Sequence, residues 1–390
     1  MDTNMRTLIL SAVVVFLLFT VTASTADREF CAEGCSGKNQ AIRRIRVLEP
    51  GARPRWAPDS RRIVFDRKNS DGFYDVYLMN LQGTVVRTLT EGKSGIGQRN
   101  NGNAIFHPSG RYIVFVSEEP NHSFGFIKSL GDPGLGLFSN LWATDVQGSR
   151  YWKLTDIELK KNRRDPTPIR GSVNPLFSPD GRQLLWTERY DDRPARWGRW
   201  RIKSADFIIE GGEPSLKNER VLYEPTKGNY VTAMGFIEGD LLVAGNLDGQ
   251  HEYGMDLYRI NLRTRALLNL TNTPEYWEED ASVTPKGRII YMSNIASKYQ
   301  FNRNDPNWHQ QAMERDYFVM DARGDRKERL TYFNDSSAPE YAGKRVLAVA
   351  SDMSPDGRYL AATLTIDRGT GAKREDLQLK VALIEMTDPL

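Results

Sequence analysis

Short apolar runs recur along the chain, each introduced by the same turn signal. Phe177 is followed by Ser178-Pro179-Asp180-Gly181-Arg182 and then by the run Gln183-Leu184-Leu185-Trp186. Trp56 to Arg61 leads in the same way into Ile63-Val64-Phe65, Phe106 to Arg111 into Tyr112-Ile113-Val114-Phe115, and Met353 to Arg358 into Tyr359-Leu360-Ala361. Val283 to Arg288 before Ile289-Ile290-Tyr291 is a looser copy, and Phe236 to Asp240 before Leu241-Leu242-Val243 a degenerate one. Proline presets φ, Asp or Ser bonds the local backbone and Gly accepts positive φ, so each copy predicts a tight hairpin between two strands.

A third strand and a fourth ending in Leu-Thr follow most of these hairpins. In the first unit they are Asp75 to Asn80 and Val85 to Thr90; in the second, Asn140 to Asp145 and Tyr151 to Thr155. Met255 to Asn261 pairs likewise with Ala266 to Thr271, and Asp316 to Asp321 with Arg329-Leu330-Thr331. The third unit diverges, with Trp200 to Phe207 and Arg220 to Tyr223. Such units cannot bury both faces alone, and six of them predict an all-β, six-bladed β-propeller of four-stranded blades. The last unit has an inner strand near Ser351-Asp352-Met353, a second from Tyr359 and a third from Leu377 to Met386, but no fourth. Ala41 to Leu48, strand-like and without a partner of its own, is expected to supply it and close the ring.

Loop lengths separate the two faces. Turns between strands one and two, and three and four, share one face and are mostly short. The opposite face gathers Glu118 to Ser139, Asp156 to Ser172, Arg189 to Gly198, Asn246 to Gly254, Asn294 to Arg315 and Tyr332 to Ala350. Long loops on one rim of a rigid scaffold are where binding or chemistry concentrates. Ile208 to Asn218 is the long segment that falls on the other face.

Composition narrows the functional classes. Of 390 residues, 53 are basic and 50 acidic, well mixed, with a net charge of +3. That balance lacks the concentrated basic face of a nucleic-acid binder. Met1 to Ala26 carries Arg6, an apolar run from Leu8 to Val21 and a small-residue end, the order of a signal peptide cut after Ala26; an uncleaved membrane anchor is the alternative. No second membrane segment follows. Residues 27–40 form a short segment with both cysteines, Cys31 and Cys35, read as a local disulfide in an oxidising compartment, and residues 41–390 form the propeller. The protein is thus expected to be exported, periplasmic or secreted, and a monomer.

The aromatic residue, Ser-Pro-Asp-Gly-Arg turn, hydrophobic strand, aspartate-led strand and closing Leu-Thr together resemble the TolB-like propellers. Phe177 to Arg182, Met353 to Arg358 and Trp56 to Arg61 carry the resemblance best, and it spans Ala41 to Leu390. It implies an exported propeller that binds a partner or ligand. TolB itself has an α/β domain before its propeller, which scarcely a dozen residues replace here, so its role in the Tol machinery does not transfer. The hydrolase domain that follows similar blades in prolyl oligopeptidase-like enzymes has no counterpart in the sequence either.

Candidate chemistry is sparse. There is no Gly-x-Ser-x-Gly elbow, and Gly92-Lys93-Ser94 lacks the earlier glycine of a phosphate loop. His122, His251 and His309 fall in long loops of one rim and, if they converge, offer a metal site for a lyase-like, carbohydrate-active enzyme. Trp277, Glu278, Glu279 and Asp280 form an acidic stretch beside aromatics near the channel mouth, although strand alternation prevents all three carboxylates from facing one ligand. Trp308 and Phe124 are loop aromatics suited to anchoring a partner. The favoured reading is non-catalytic binding of a protein partner or small ligand through the long-loop face, with no cofactor; the metal-assisted enzyme is the alternative.

Overall fold

The computed structural model describes residues 30–390 except 123, 163, 193–196, 306, 307, 312, 370, 372 and 374, and omits the side chain of His309. The leader expected over Met1 to Ala26 lies outside the described residues. Six antiparallel sheets of four strands follow one another around an axis. The first blade is β2 (Ala52–Trp56), β3 (Arg62–Lys68), β4 (Tyr74–Asn80) and β5 (Val85–Thr88). The second is β6 (Asn101–Phe106), β7 (Tyr112–Glu118), β8 (Ser139–Asp145) and β9 (Tyr151–Lys153). Blade three comprises β10 (Gly171–Phe177), β11 (Gln183–Asp191), β12 (Arg199–Glu210) and β13 (Glu213–Tyr223). Blade four comprises β14 (Val231–Ile237), β15 (Asp240–Gly245), β16 (Asp256–Ile260) and β17 (Leu267–Asn269). Blade five comprises β18 (Glu278–Val283), β19 (Ile289–Ser293), β20 (Asp316–Met320) and β21 (Glu328–Arg329).

Blade six joins the two ends of the chain. β22 (Arg345–Met353), β23 (Tyr359–Asp367) and β24 (Leu377–Met386) are completed by β1 (Ile42–Pro50), in the order β1-β24-β23-β22. The pairing runs from Ile42 opposite Met386 to Pro50 opposite Lys380, and Ile45 is fully buried beneath it. The outer edge of β1 is covered in turn. Cys31 and Cys35 form a disulfide, and Cys35 exchanges backbone hydrogen bonds with Ile45 at 2.9 and 2.7 Å.

Two local chemistries explain the repeat. In the turns, Ser178 Oγ donates to Asp180 at 2.6 Å, and the Gly181 amide, at φ 71°, donates to the Ser178 carbonyl at 2.8 Å. In the first unit Ser60 takes the glycine place and accepts φ 55°. The closing Leu-Thr is a buried latch. Thr90, Thr155, Thr271 and Thr331 donate to Asp75, Asn140, Asp256 and Asp316 at 2.6, 3.0, 2.9 and 3.0 Å. Each hydroxyl also accepts the amide of the following residue, Val76, Leu141, Leu257 or Tyr317, at 2.8 to 3.0 Å. The side chain thereby ties strand four to strand three where backbone pairing has run out.

Two segments differ from the sequence reading. Ile208 to Asn218 is no loop, because β12 and β13 continue into a two-residue turn at Gly211-Gly212, both at positive φ, as a tight hairpin requires. Tyr332 to Ala350 is not loop to its end: β22 begins at Arg345, since the apolar run Val346 to Ala348 is buried between its neighbours.

Deleting residues 41–48 removes the closing strand and is expected to lower the melting temperature sharply; an unchanged melt would contradict the closure. Thr271→Val leaves the Leu257 amide without its acceptor and is expected to cost about 1–3 kcal/mol in urea denaturation, with Thr271→Ser nearer wild type.

Candidate functional site

Every inner strand is interrupted by a bulge, and in four of them the bulge holds a polar residue in the left-handed region. Arg53, Asn103, Asn174 and Asp280 each stand three residues before the apolar residue that opens the turn, with φ of 50°, 49°, 51° and 52°. Such a conformation costs an L-residue about 1–2 kcal/mol, least for Asn and Asp. Its effect is to break strand alternation and present polar groups at the axis. Asn103 donates to Asn174 at 2.7 Å and Asn174 to Thr232 at 2.8 Å, linking blades two, three and four. Ser351 of blade six donates to the Asp280 carbonyl at 3.4 Å.

Charged groups cluster around this ring. Arg53 meets Asp66 at 2.5 Å and Asp132 at 3.2 Å, and Arg55 meets Asp352 at 3.6 Å. Burial is the largest influence on Asp66 and pushes its carboxyl up to about 6 against the pull of Arg53. In blade five, Glu278 turns away from the axis and accepts from Thr273 at 2.6 Å and Ser293 at 3.1 Å. Glu279 accepts from Tyr230 at 3.0 Å and Trp277 Nε1 at 2.9 Å. Burial, then the neighbouring Asp280, raise the Glu279 carboxyl from 4.5 to about 7. Burial also raises Asp280, opposed chiefly by Arg315 and then by Arg55 and Arg53. The bulge therefore brings two of the three sequence-neighbouring carboxylates into one electrostatic setting and sends Glu278 elsewhere.

Arg315 stands immediately before β20. It lies 4.6 Å over the Trp277 ring, 6% exposed, and its Nε and Nη2 point at Met313 Sδ at 3.2 and 3.1 Å. Burial lowers its pKa. Around it an aromatic layer spans three blades, with Trp197 5.3 Å from Trp277 and 5.6 Å from both Trp308 and Tyr230. Trp277 and Trp308 are only 8% and 5% exposed, so Trp308 is not the exposed anchor that its loop position suggests. Phe124 is half-buried, 6.0 Å from Phe138, while Phe126 beside it is 68% exposed.

The histidines are occupied separately. His122 is buried in blade two, stacked 4.0 Å from Phe138, with Nε2 2.8 Å from Glu118 Oε1. Arg99 and Asn100 donate to the same carboxylate. His251 accepts the Tyr253 amide at 3.1 Å and packs against Trp308 and Phe301. The side chain of His309 lies outside the described residues. Among the described residues no three His, Cys, Asp or Glu side chains gather as metal ligands.

No protein-family model and no curated protein matches the chain. Solved structures do. A TolB candidate from Agrobacterium tumefaciens is 14% identical over 87% of this chain and 91% of its own, with a TM-score of 0.48. TolB from Acinetobacter baumannii is 15% identical over 79% of this chain and 64% of its own, at 0.47, so the chain spans under two-thirds of that protein. A gluconolactonase from Xanthomonas campestris is 12% identical over 90% and 95%, at 0.50. With six four-stranded blades and the repeated turn and latch in place, the assignment is direct. The fold is a six-bladed β-propeller. At these identities the likeness is one of architecture, and neighbours on this propeller carry unlike activities. Function must come from the propeller's own axis, where sequence reading reached Glu279 and Asp280 but missed Arg53, Tyr230 and Arg315. For Arg53 the available signal was a polar residue at the third place before successive turns.

A carboxyl whose folded pKa is raised holds its proton in the native state after the unfolded chain has lost it, so stability falls as pH rises through that window. Between pH 4.5 and about 7, Glu279 imposes such a fall. Glu279→Gln should show a shallower decline in melting temperature over that range; an identical profile would contradict the burial of this group.

Proposed function

We propose that the protein is an exported, monomeric, non-catalytic propeller that binds a partner or ligand at the long-loop mouth of its axis. Export is supported by the leader-like Met1 to Ala26 and by the Cys31–Cys35 disulfide, which suits an oxidising compartment. Among the described residues no helix is long and apolar enough to cross a membrane.

One observation carries the binding reading: the Arg315 guanidinium, 6% exposed, meets only Met313 Sδ and the Trp277 ring among the described residues, and the nearby Asp280 carboxylate accepts no hydrogen bond from them. Charged side chains that line a mouth without direct protein partners are groups that a bound ligand can complete. The metal-assisted alternative gains nothing from His122 or His251, since the first is bound to Glu118 and the second to the Tyr253 amide.

The test is a thermal-shift screen of purified protein with sugars, amines, carboxylic acids and amino acids, repeated with Asp280→Asn. Binding by the wild type and its loss in the folded variant is the expected result. A wild-type melt that no compound moves would overturn a small-ligand site. Mass measurement of the exported protein should give a mature chain beginning at Asp27; an intact leader would overturn the cleavage.

A further inference from the structure

The charges at the mouth divide into those that are matched and those that are not. Arg53 is answered by Asp66 and Asp132, and Arg55 by Asp352. Glu279 holds hydrogen bonds from Tyr230 and Trp277. Arg315, more than nine-tenths buried, touches only a thioether and an indole face with its guanidinium among the described residues. A thioether is a weak acceptor, so one edge of a fixed fork of donors is left for a stronger one. The Asp280 carboxylate receives no hydrogen bond from any described residue, and only charges at a distance act on it.

Backbone geometry keeps these two groups from collapsing together. Asp280 is fixed in its bulge at φ 52°. Arg315 is fixed by a parallel bridge to Leu347 of β22, in which its amide donates to the Val346 carbonyl and its carbonyl accepts from the Ala348 amide, both at 3.1 Å. Blade five thus supplies the anion, and the seam between blades five and six the cation. Trp277 touches both sides, donating to Glu279 and stacking on Arg315.

Building on the binding reading above, we propose that this mouth takes a small zwitterion of the α-amino-acid type, its ammonium between Asp280 and Glu279 and its carboxylate on the free edge of Arg315. An anion alone would face the two carboxylates, and a simple amine would leave Arg315 unmatched. A ligand carrying both charges satisfies each group at once and adds no net charge to a partly desolvated site.

The experiment is isothermal titration of the full-length mature protein with glycine, L-leucine, L-phenylalanine and L-glutamine. The deaminated acid and decarboxylated amine of the tightest binder are then titrated beside it. Saturable binding of at least one amino acid is expected, with each analogue weaker by about tenfold or more, the loss of one charged contact. Asp280→Asn should weaken the amino acid and the amine but spare the acid, and Arg315→Met should do the reverse for the analogues. Should Arg315→Met fail to fold, Arg315→Lys, which keeps the charge and loses the fork, together with the analogue series, carries the same test. An amine or acid binding as tightly as its parent amino acid overturns the proposal. So does failure of every amino acid while another class binds in the thermal-shift screen, an outcome that leaves the broader binding reading standing. Failure of every class overturns this proposal and the small-ligand form of the binding reading together.

Discussion

The pairing of β1 with β24 is the constraint on which the rest of this molecule depends. Each blade packs its faces on its neighbours, so a ring of six is stable only when no blade has an open side. Blade six takes three strands from the C-terminal end of the chain and one from the N-terminal end, and Ile45 under that seam belongs to the same core as Tyr317, Leu347 and Ile384. The mouth of the axis inherits its geometry from this closure: Arg315 is positioned by β22, and β22 is held by the sheet that β1 completes.

The blades repeat an inexpensive device rather than a sequence. Where strand four is only two to four residues long, as in β5, β9, β17 and β21, the Thr-to-Asp or Thr-to-Asn bond replaces the missing ladder. Blade three, which lacks the motif, instead extends β12 and β13 into the longest hairpin of the structure. Its tip reaches blade two, where Gly212 accepts from Tyr112 at 3.0 Å and Glu213 pairs with Arg150 at 2.7 Å. Both solutions hold the outer strand, one by side-chain chemistry and one by length.

Local chemistry was legible in the sequence and cross-blade contact was not. The turns could be read because proline, aspartate and glycine act within a few residues, and β1 because an unpartnered strand and an incomplete blade imply each other. Trp308 looked exposed because Asn, His and Gln surround it in a long loop; its burial comes from Trp197 and His251 on other blades. Arg315 carried no signal of its own, since its unmatched charge depends on Met313, Trp277 and a bridge to β22. Glu279 and Asp280 were found, but strict alternation set them on opposite sides, whereas the bulge at Asp280 relaxes it.

The closing hydrogen bonds join residues as far apart as Gln40 and Thr387, 347 positions along the chain. Synthesis delivers the first of these residues long before the last, so β1 emerges without its partner and must wait for nearly the whole polypeptide. The ring is therefore sealed only after the chain is complete, and contacts of this span are slow to find. The small Cys31–Cys35 loop needs no distant residue and can form early, bringing a ready cover to the edge of β1 when the strand docks. Maturation thus has an order written into it, with the earliest strand of the ring the last to be seated.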